Sequence, residues 1–264
     1  MKLARAQAHR TPALLSLALT LAMLAGCATT SPNANPRDPW EPFNRGVSDF
    51  NEGVDRIVLK PVATLYRDTV PPLVRTGVAN FFGNLSDLWS AANSVLQFRL
   101  QDAGDSFARF QINSTFGIGG IFDVASDLQI EKHREDFGQT LGRWGVPAGP
   151  YLVLPLLGPS TLRDTAALPV DWQGDLVRHV DPAGTRHALT AVRIVDRRAN
   201  LIRVGNVLEE AALDRYSFTR DAYLQRRRAE IDRYQDDREV PPPLPDESLE
   251  PDVAPPAQQG TAAR

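Results

Sequence analysis

The chain of 264 residues carries a single cysteine, Cys27. One sulfur excludes an internal disulfide and a zinc site built from paired Cys-x-x-Cys motifs. Beyond residue 26 the histidines are His133, His179 and His187, with no pair at one-turn spacing and no HExxH pattern, so no metal site is expected. A GxSxG elbow is missing as well, which argues against a serine hydrolase. Gly117-Ile118-Gly119-Gly120 lacks the lysine of a P-loop, and Phe122 stands where a dinucleotide fingerprint needs its third glycine. A tight turn between helices explains those glycines better. Positive charge is not in excess: the net charge of -3 offers no clustered cationic face to a phosphate backbone, which argues against nucleic acid as a partner. Glu135-Asp136 and Asp236-Asp237 are adjacent acids, and neighbours on a helix diverge by about 100° instead of converging on one substrate. They are expected to be solvated. Arg197-Arg198 and Arg226-Arg227-Arg228 are expected to be solvated too, with anionic head groups as the alternative. No catalytic residue and no cofactor are expected.

The N-terminus explains the lone sulfur. Lys2, Arg5 and Arg10 precede an apolar run, Ala13 to Ala25, broken only by Ser16 and Thr20, which is the pattern of a secretory signal. The run is too short for a permanent span, which needs about 20 residues. It ends Leu24-Ala25-Gly26-Cys27, which resembles the bacterial lipobox; that resemblance implies cleavage before Cys27 and acylation of its thiol and new amino terminus. Removing residues 1–26 removes three positive charges and takes the net charge from -3 to -6. Residues 27–37 then read as a lipidated tether, residues 38–239 as one helical domain, and residues 240–264 as a disordered tail holding seven of the 21 prolines.

Periodicity in the body is helical. Phe43, Val47, Phe50, Val54 and Ile57 recur at steps of four and three, with Asp38-Pro39-Trp40-Glu41 as the expected helix start and Pro61 as its end or kink. A second series, Val74, Val78, Phe81, Leu85, Leu88, Ala92 and Val95, is joined by Phe82, Trp89 and Leu96, a stripe wide enough to touch apolar material on two sides. Helices are also expected over 101–115, 136–144, from Ala188 through Ile202, and over 217–237. The one β-like run is Tyr151 to Leu157, and Pro155 argues against a paired central strand. The fold class expected is all-α, with no run of 18 apolar residues beyond the signal.

Several uncommon strings occur in one order: DPWEPFNR (38–45), KPVATLYRD (60–68), NFFGNL (80–85), RFQINSTFGIGGIFDVAS (109–126), DFGQTLGRWG (136–145), GPYLVLPLLGPSTLRD (149–164) and DAYLQRRR (221–228). On these the chain resembles the VacJ/MlaA family from Asp38 to about Arg228. The resemblance implies an outer-membrane lipoprotein of a Gram-negative bacterium that is not an enzyme. It implies a ring of helices lying in the membrane around an amphipathic channel. That channel would pass phospholipids misplaced in the outer leaflet to a soluble periplasmic carrier, often beside a trimeric porin. Ala28 after Cys27, where aspartate goes with inner-membrane retention, agrees with a periplasm-facing outer-membrane anchor.

The resemblance also marks candidate sites. Tyr151, Leu152, Leu154 and Leu156, in the run bounded by Gly145, Gly149 and Gly158, match the family's hydrophobic loop beside the channel and are expected to form its gate. Pro147 stands where other members often carry glycine, which stiffens that hinge. Phe43-Asn44 and Phe50-Asn51 repeat at seven residues, so both pairs share one side of the first helix; Phe is expected to pack and Asn to bond at a ring seam, with a part in gating. Asn113, Ser114 and Thr115 are expected to cap a helix end. Two rivals stand beside transport: a lipoprotein scaffold that bridges porins and periplasmic factors, and a phospholipase-like enzyme.

Overall fold

A computed structural model describes residue 35 and residues 37–211 and 214–232. The signal, Cys27 and the tail at 240–264 lie outside the described residues, as do Asp236 and Asp237. Helix α1 spans Glu41–Val54; a π-helical turn, Asp55–Leu59, leads into α2, Lys60–Thr69. That turn is where Pro61, which has no N–H to give, is absorbed without stopping the helix. Then come α3 (Pro72–Leu96), α4 (Leu100–Thr115), the single turn α5 (Val124–Asp127) and α6 (Phe137–Arg143). Strands β1 (Tyr151–Leu154) and β2 (Gly158–Thr161) pair antiparallel, Tyr151 opposite Thr161 and Leu154 opposite Gly158. Helices α7 (Leu162–Gly174), α8 (Ala183–Ala211) and α9 (Arg215–Asp232) follow, with a 3-10 turn at Leu176–His179 between α7 and α8. The fold is all-α apart from this hairpin.

Polarity in the interior is inverted. Among the described residues, twelve apolar side chains are buried, half of them alanine, against twenty-two polar or charged ones. Meanwhile Ile57, Leu65, Leu73, Phe98, Leu100 and Phe116 are each at least 65% exposed. Helix α3 shows the pattern best. Asn84, Asp87, Ser90, Asn93 and Ser94 face inward against Ser106, Arg109 and Asn113 of α4, and Leu73, Val74, Val95 and Leu96 face out. The wide stripe of α3 therefore serves the outer surface more than a core.

The helix start differs from expectation. The residue before α1 is Trp40, without a side-chain cap, and Pro42 takes the first-turn position. Asp38 is instead withdrawn from solvent and serves as a bonding hub, described below. Caps are supplied elsewhere by Asp136 (2.8 Å to the Gln139 amide) and Thr161 (3.2 Å to the Asp164 amide). Asn113 is no cap: its Oδ1 accepts from the Ala125 amide at 2.9 Å and its Nδ2 donates to Asp123 at 3.0 Å, tying α4 to α5. Helices α2 and α8 meet through Ala63, Tyr66, Ala199 and Ile202, locked by Arg198 on Asp55 at 2.6 and 2.8 Å.

Candidate functional site

The hairpin and the first helix form one unit. Asn44 Nδ2 donates to the Tyr151 carbonyl at 3.1 Å, and Asn44 Oδ1 accepts from the Val153 amide at 2.9 Å. Seven residues on, Asn51 repeats the clamp: Nδ2 donates to the Leu154 carbonyl at 2.9 Å and Oδ1 accepts from the Leu156 amide at 2.7 Å. Seven helical residues rise about 10.5 Å and three strand residues about 10 Å, so the two amides meet the two stretches of strand in step. Helix α1 thus stands in for a third strand at the free edge of β1. Both sequence-derived sets, the gate run and the Phe-Asn pairs, are in contact.

The phenylalanines behave otherwise than expected. Phe43 and Phe50 are 45% and 55% exposed and do not pack inward, while Asn44 is fully buried. A carboxamide that bonds two backbone groups and a carboxylate loses nothing by burial, whereas a phenyl ring on the outer face can lie in an apolar surrounding. Val47 supplies the apolar contact to the hairpin, alongside Tyr223 and Leu224, around Tyr151, Val153 and Tyr216.

Two buried ionic hubs hold the hairpin base. Asp38 accepts from Asn44 Nδ2 at 2.8 Å, from the Tyr216 hydroxyl at 2.5 Å and from Arg220 at 3.3 Å, joining the start of α1 to α9. The Tyr151 ring packs edge-on to Tyr216 and tilted to Tyr223, each at 6.2 Å between centroids. Burial, with the Asp38 carboxylate close by, pushes the Tyr151 hydroxyl up to about 12. Arg227 forms the second hub, 2.6 and 2.7 Å from Asp136 and 3.0 Å from Asp164, which also accepts from the Tyr223 hydroxyl at 2.8 Å. Burial opposes the charge of Asp164, but Arg227, Tyr223 and Arg163 outweigh it and hold its carboxyl below the usual range. Glu135, Arg198 and Arg227 are therefore ion-paired and largely withdrawn from water, while Asp136 is ion-paired with its side chain still 39% exposed. Glu135 accepts from Arg99 at 2.7 Å and Asp136 faces Arg227; the sequence neighbours diverge, each to its own cation.

Beyond the Asn51 clamp the side chains at the hairpin tip are exposed. Leu156 and Leu157 at the tip are 67% and 59% exposed, while Leu152 and Leu154 are half-buried. Gly145, Gly149 and Gly158 all have positive φ, +90°, +69° and +84°, a region that disfavours any side chain, so each marks a sharp bend on the way into or around the hairpin. Leu156 shares that region at 63°. Pro147 lies exposed between the first two glycines.

Sequence reasoning missed Asp38, Asp164, Tyr216 and Arg220 as site residues. Asp38 and Asp164 stand in the strings at 38–45 and 149–164, and Tyr216 and Arg220 just before DAYLQRRR, but no rule pairs an arginine at 227 with acids at 136 and 164. Beside this framework lies a cavity of about 440 Å³ between α3, α4 and the end of α7, lined by Leu88, Trp89, Ala92, Val95, Phe107 and Leu176. Its walls are apolar and suit hydrocarbon. Among the described residues no group of acids, histidines or cysteines is placed to hold a metal, and no helix is long and apolar enough to cross a membrane.

The chain is similar to known proteins in sequence and fold. The profile of the MlaA lipoprotein family matches residues 36–230. The chain is 37% identical to the intermembrane phospholipid transport system lipoprotein MlaA of Escherichia coli K12, over 81% of this chain and 86% of that one. It is 35% identical to the protein of the same name from Haemophilus influenzae, over 82% and 89%. An uncharacterized protein of Rickettsia bellii is 34% identical over 74% and 76%. A solved structure described as "Structural basis for maintenance of bacterial outer membrane lipid asymmetry" superposes with a TM-score of 0.64 at 35% identity, covering 74% of this chain and 98% of its own. The chain belongs to the MlaA lipoprotein family.

Proposed function

We propose that this protein, anchored to the outer membrane through acylated Cys27, passes phospholipids misplaced in the outer leaflet along an amphipathic path to a periplasmic carrier. The single observation that carries the reading is the inverted polarity. Large exposed apolar side chains are costly in water and at home among acyl chains, while the polar groups turned inward are shielded from lipid and bonded to one another. Amphipathic helices of this kind lie in a bilayer without crossing it. The names of the relatives support phospholipid as the substrate.

Transport of this kind breaks no bond, so no catalytic residue is assigned; discrimination rests on fit to the path. The hairpin, clamped at its base and bare at its tip, is the gate, with Gly145, Gly149 and Gly158 as its bends and Asn51 as its latch. Part of the exposed apolar surface abuts a trimeric porin. Residues 1–26 are the signal, 27–37 the tether, 38–239 the helical domain and 240–264 the disordered tail.

The test is outer-leaflet phospholipid in cells, read by an outer-membrane enzyme that acylates only surface-exposed phospholipid. Deleting the gene raises the acylated product and the intact gene restores it. No change on deletion would overturn the transport reading and leave the scaffold that bridges porins and periplasmic factors.

A further inference from the structure

The hairpin gate makes no use of the cavity between α3, α4 and the end of α7, whose walls are held in place by specific contacts. Trp89 forms one of them. Its Nε1 donates to Asp171 at 2.9 Å, and Asp171 also accepts from the Phe137 amide at 2.8 Å. Asp171 lies outside the lining, so the polar atom of the indole is satisfied elsewhere and the ring gives the cavity its carbon surface. A β-carbon at Gly174 would collide with that ring, so glycine is what lets the end of α7 close against it.

Size and chemistry together choose the occupant. Ala91 and Ala92 of α3 and Ala103 of α4 are small, and larger side chains there would take up the space. The volume of about 440 Å³ holds about 15 non-hydrogen atoms, at the ~30 Å³ a water molecule takes in the liquid. Water itself is a poor occupant, because Gln173 is the one amide or charged side chain in the lining and a buried water needs about two to four polar partners. A peptide segment would bring backbone N–H and C=O groups that these walls cannot bond. One aromatic side chain from a partner would fill only about half the volume by the same measure. A hydrocarbon chain of about 15 carbons fills it and leaves no polar group unpaired.

The cavity also opens toward a source of such chains. Val95, Phe107 and Leu176 in its lining are exposed, whereas Ala91 and Ala103 are buried, so it leads inward from the surface. Val95 shares the outward side of α3 with Leu96, next to exposed Phe98 and Leu100 at the turn into α4.

We propose that this cavity is an acyl-chain site that takes one chain of a phospholipid, a reading that rests on the lipid-facing exterior assigned under the proposed function. The site reads hydrocarbon length and is indifferent to the head group. It holds one tail of a lipid against α3 and α4, at a place distinct from the hairpin.

The test uses full-length acylated protein in a nonionic detergent and a phosphatidylethanolamine whose second acyl chain ends in a diazirine. Irradiation and peptide mass spectrometry locate the adducts. Labelling at buried Ala91 and Ala103 should saturate with probe, while labelling at Leu65, exposed on α2, should rise in proportion to it. At equal mole fraction in the detergent, dipalmitoyl phosphatidylglycerol should compete for the saturable label about tenfold or more better than its dioctanoyl counterpart, because each further buried methylene adds to binding. Glycerophosphoglycerol, which has no chain, should not compete. Ala92→Leu fills part of the cavity and should weaken the saturable labelling about tenfold while leaving the thermal midpoint unchanged or higher. Ala92→Ser, which keeps the volume, should label like the parent. Labelling that does not saturate, equal competition by the two chain lengths, or unchanged labelling in Ala92→Leu would overturn the acyl-chain site. Palmitate that competes at a lower mole fraction than the phospholipid would make free fatty acid the occupant and overturn the phospholipid assignment. Loss of labelling in protein isolated together with a porin would give the cavity to a side chain of that partner and overturn the lipid. Saturable labelling in a protein whose deletion leaves surface phospholipid unchanged would retain the site and overturn only the transport reading.

Discussion

Asn44 and Asn51 show how far position decides the worth of one residue type. Each bonds a strand carbonyl and a strand amide, yet Asn44 is buried and adds Asp38, while Asn51 is half-buried near the hairpin tip. Asn44→Ala removes three bonds and leaves buried partners unpaired, so it should destabilise the fold by about 2–3 kcal/mol in denaturant unfolding of the detergent-solubilised protein. Asn51→Ala, where water can replace the lost bonds, should cost about 1 kcal/mol and still raise surface phospholipid in cells. Asp123 gives a pH prediction. Burial works against its charge, but Ser126, Asn113 and Arg109 overcome that and lower it from 3.8 to about 2. A carboxylate depressed in the folded state contributes stability that is full above its unfolded value and is lost as pH falls through the folded one. The thermal midpoint should therefore drop between about pH 4 and about pH 2, and Asp123→Asn should flatten that drop while lowering the midpoint at neutral pH.

At the scale of elements, α3 and α4 were legible as helices, and their orientation was not. The periodic stripe from Val74 to Val95 locates an apolar face, but periodicity cannot say whether that face meets a core or a lipid. The buried residues Asn84, Asp87, Ser90 and Asn93 decide it, because they meet partners distant in sequence, such as Ser114 for Asn84 and Thr140 for Asn93. The same limit explains Asp38, Glu135, Asp136, Arg198 and Arg227. A charge in sequence is solvated by default, and only tertiary contact reveals the partner that permits its burial. The hairpin was half legible: Pro155 and Gly158 mark a turn, but the edge supplied by α1 has no signature beyond the repeated Phe-Asn pair. Lipid exposure of the outer faces can be measured directly. A fluorophore on Leu65→Cys or Val74→Cys should be quenched by nitroxide-labelled lipid in vesicles, and one on Asn93→Cys should not. Equal quenching at all three would contradict an outward apolar face.

On the scale of the whole molecule, polar interior and apolar exterior fit a protein whose solvent is largely lipid, and the hairpin is the part proposed to move within it. Its base is fixed by Asn44, Asp38, Tyr216 and Arg220, whereas its tip past Asn51 carries exposed Leu156 and Leu157. In the proposed function, motion of that tip is the step by which the path opens. The decisive measurement pins it. Asn51→Cys with Leu156→Cys puts thiols on two residues that now meet through the Asn51 side-chain oxygen and the Leu156 backbone amide at 2.7 Å, in a chain whose other cysteine is Cys27. Surface phospholipid is then read in cells under oxidising and reducing conditions, with each single substitution as control. With the disulfide closed, acylated surface phospholipid should rise to the level of the deletion strain and fall again on reduction; clearance as efficient as that of the unaltered protein, with the disulfide shown to be closed, would contradict the hairpin gate.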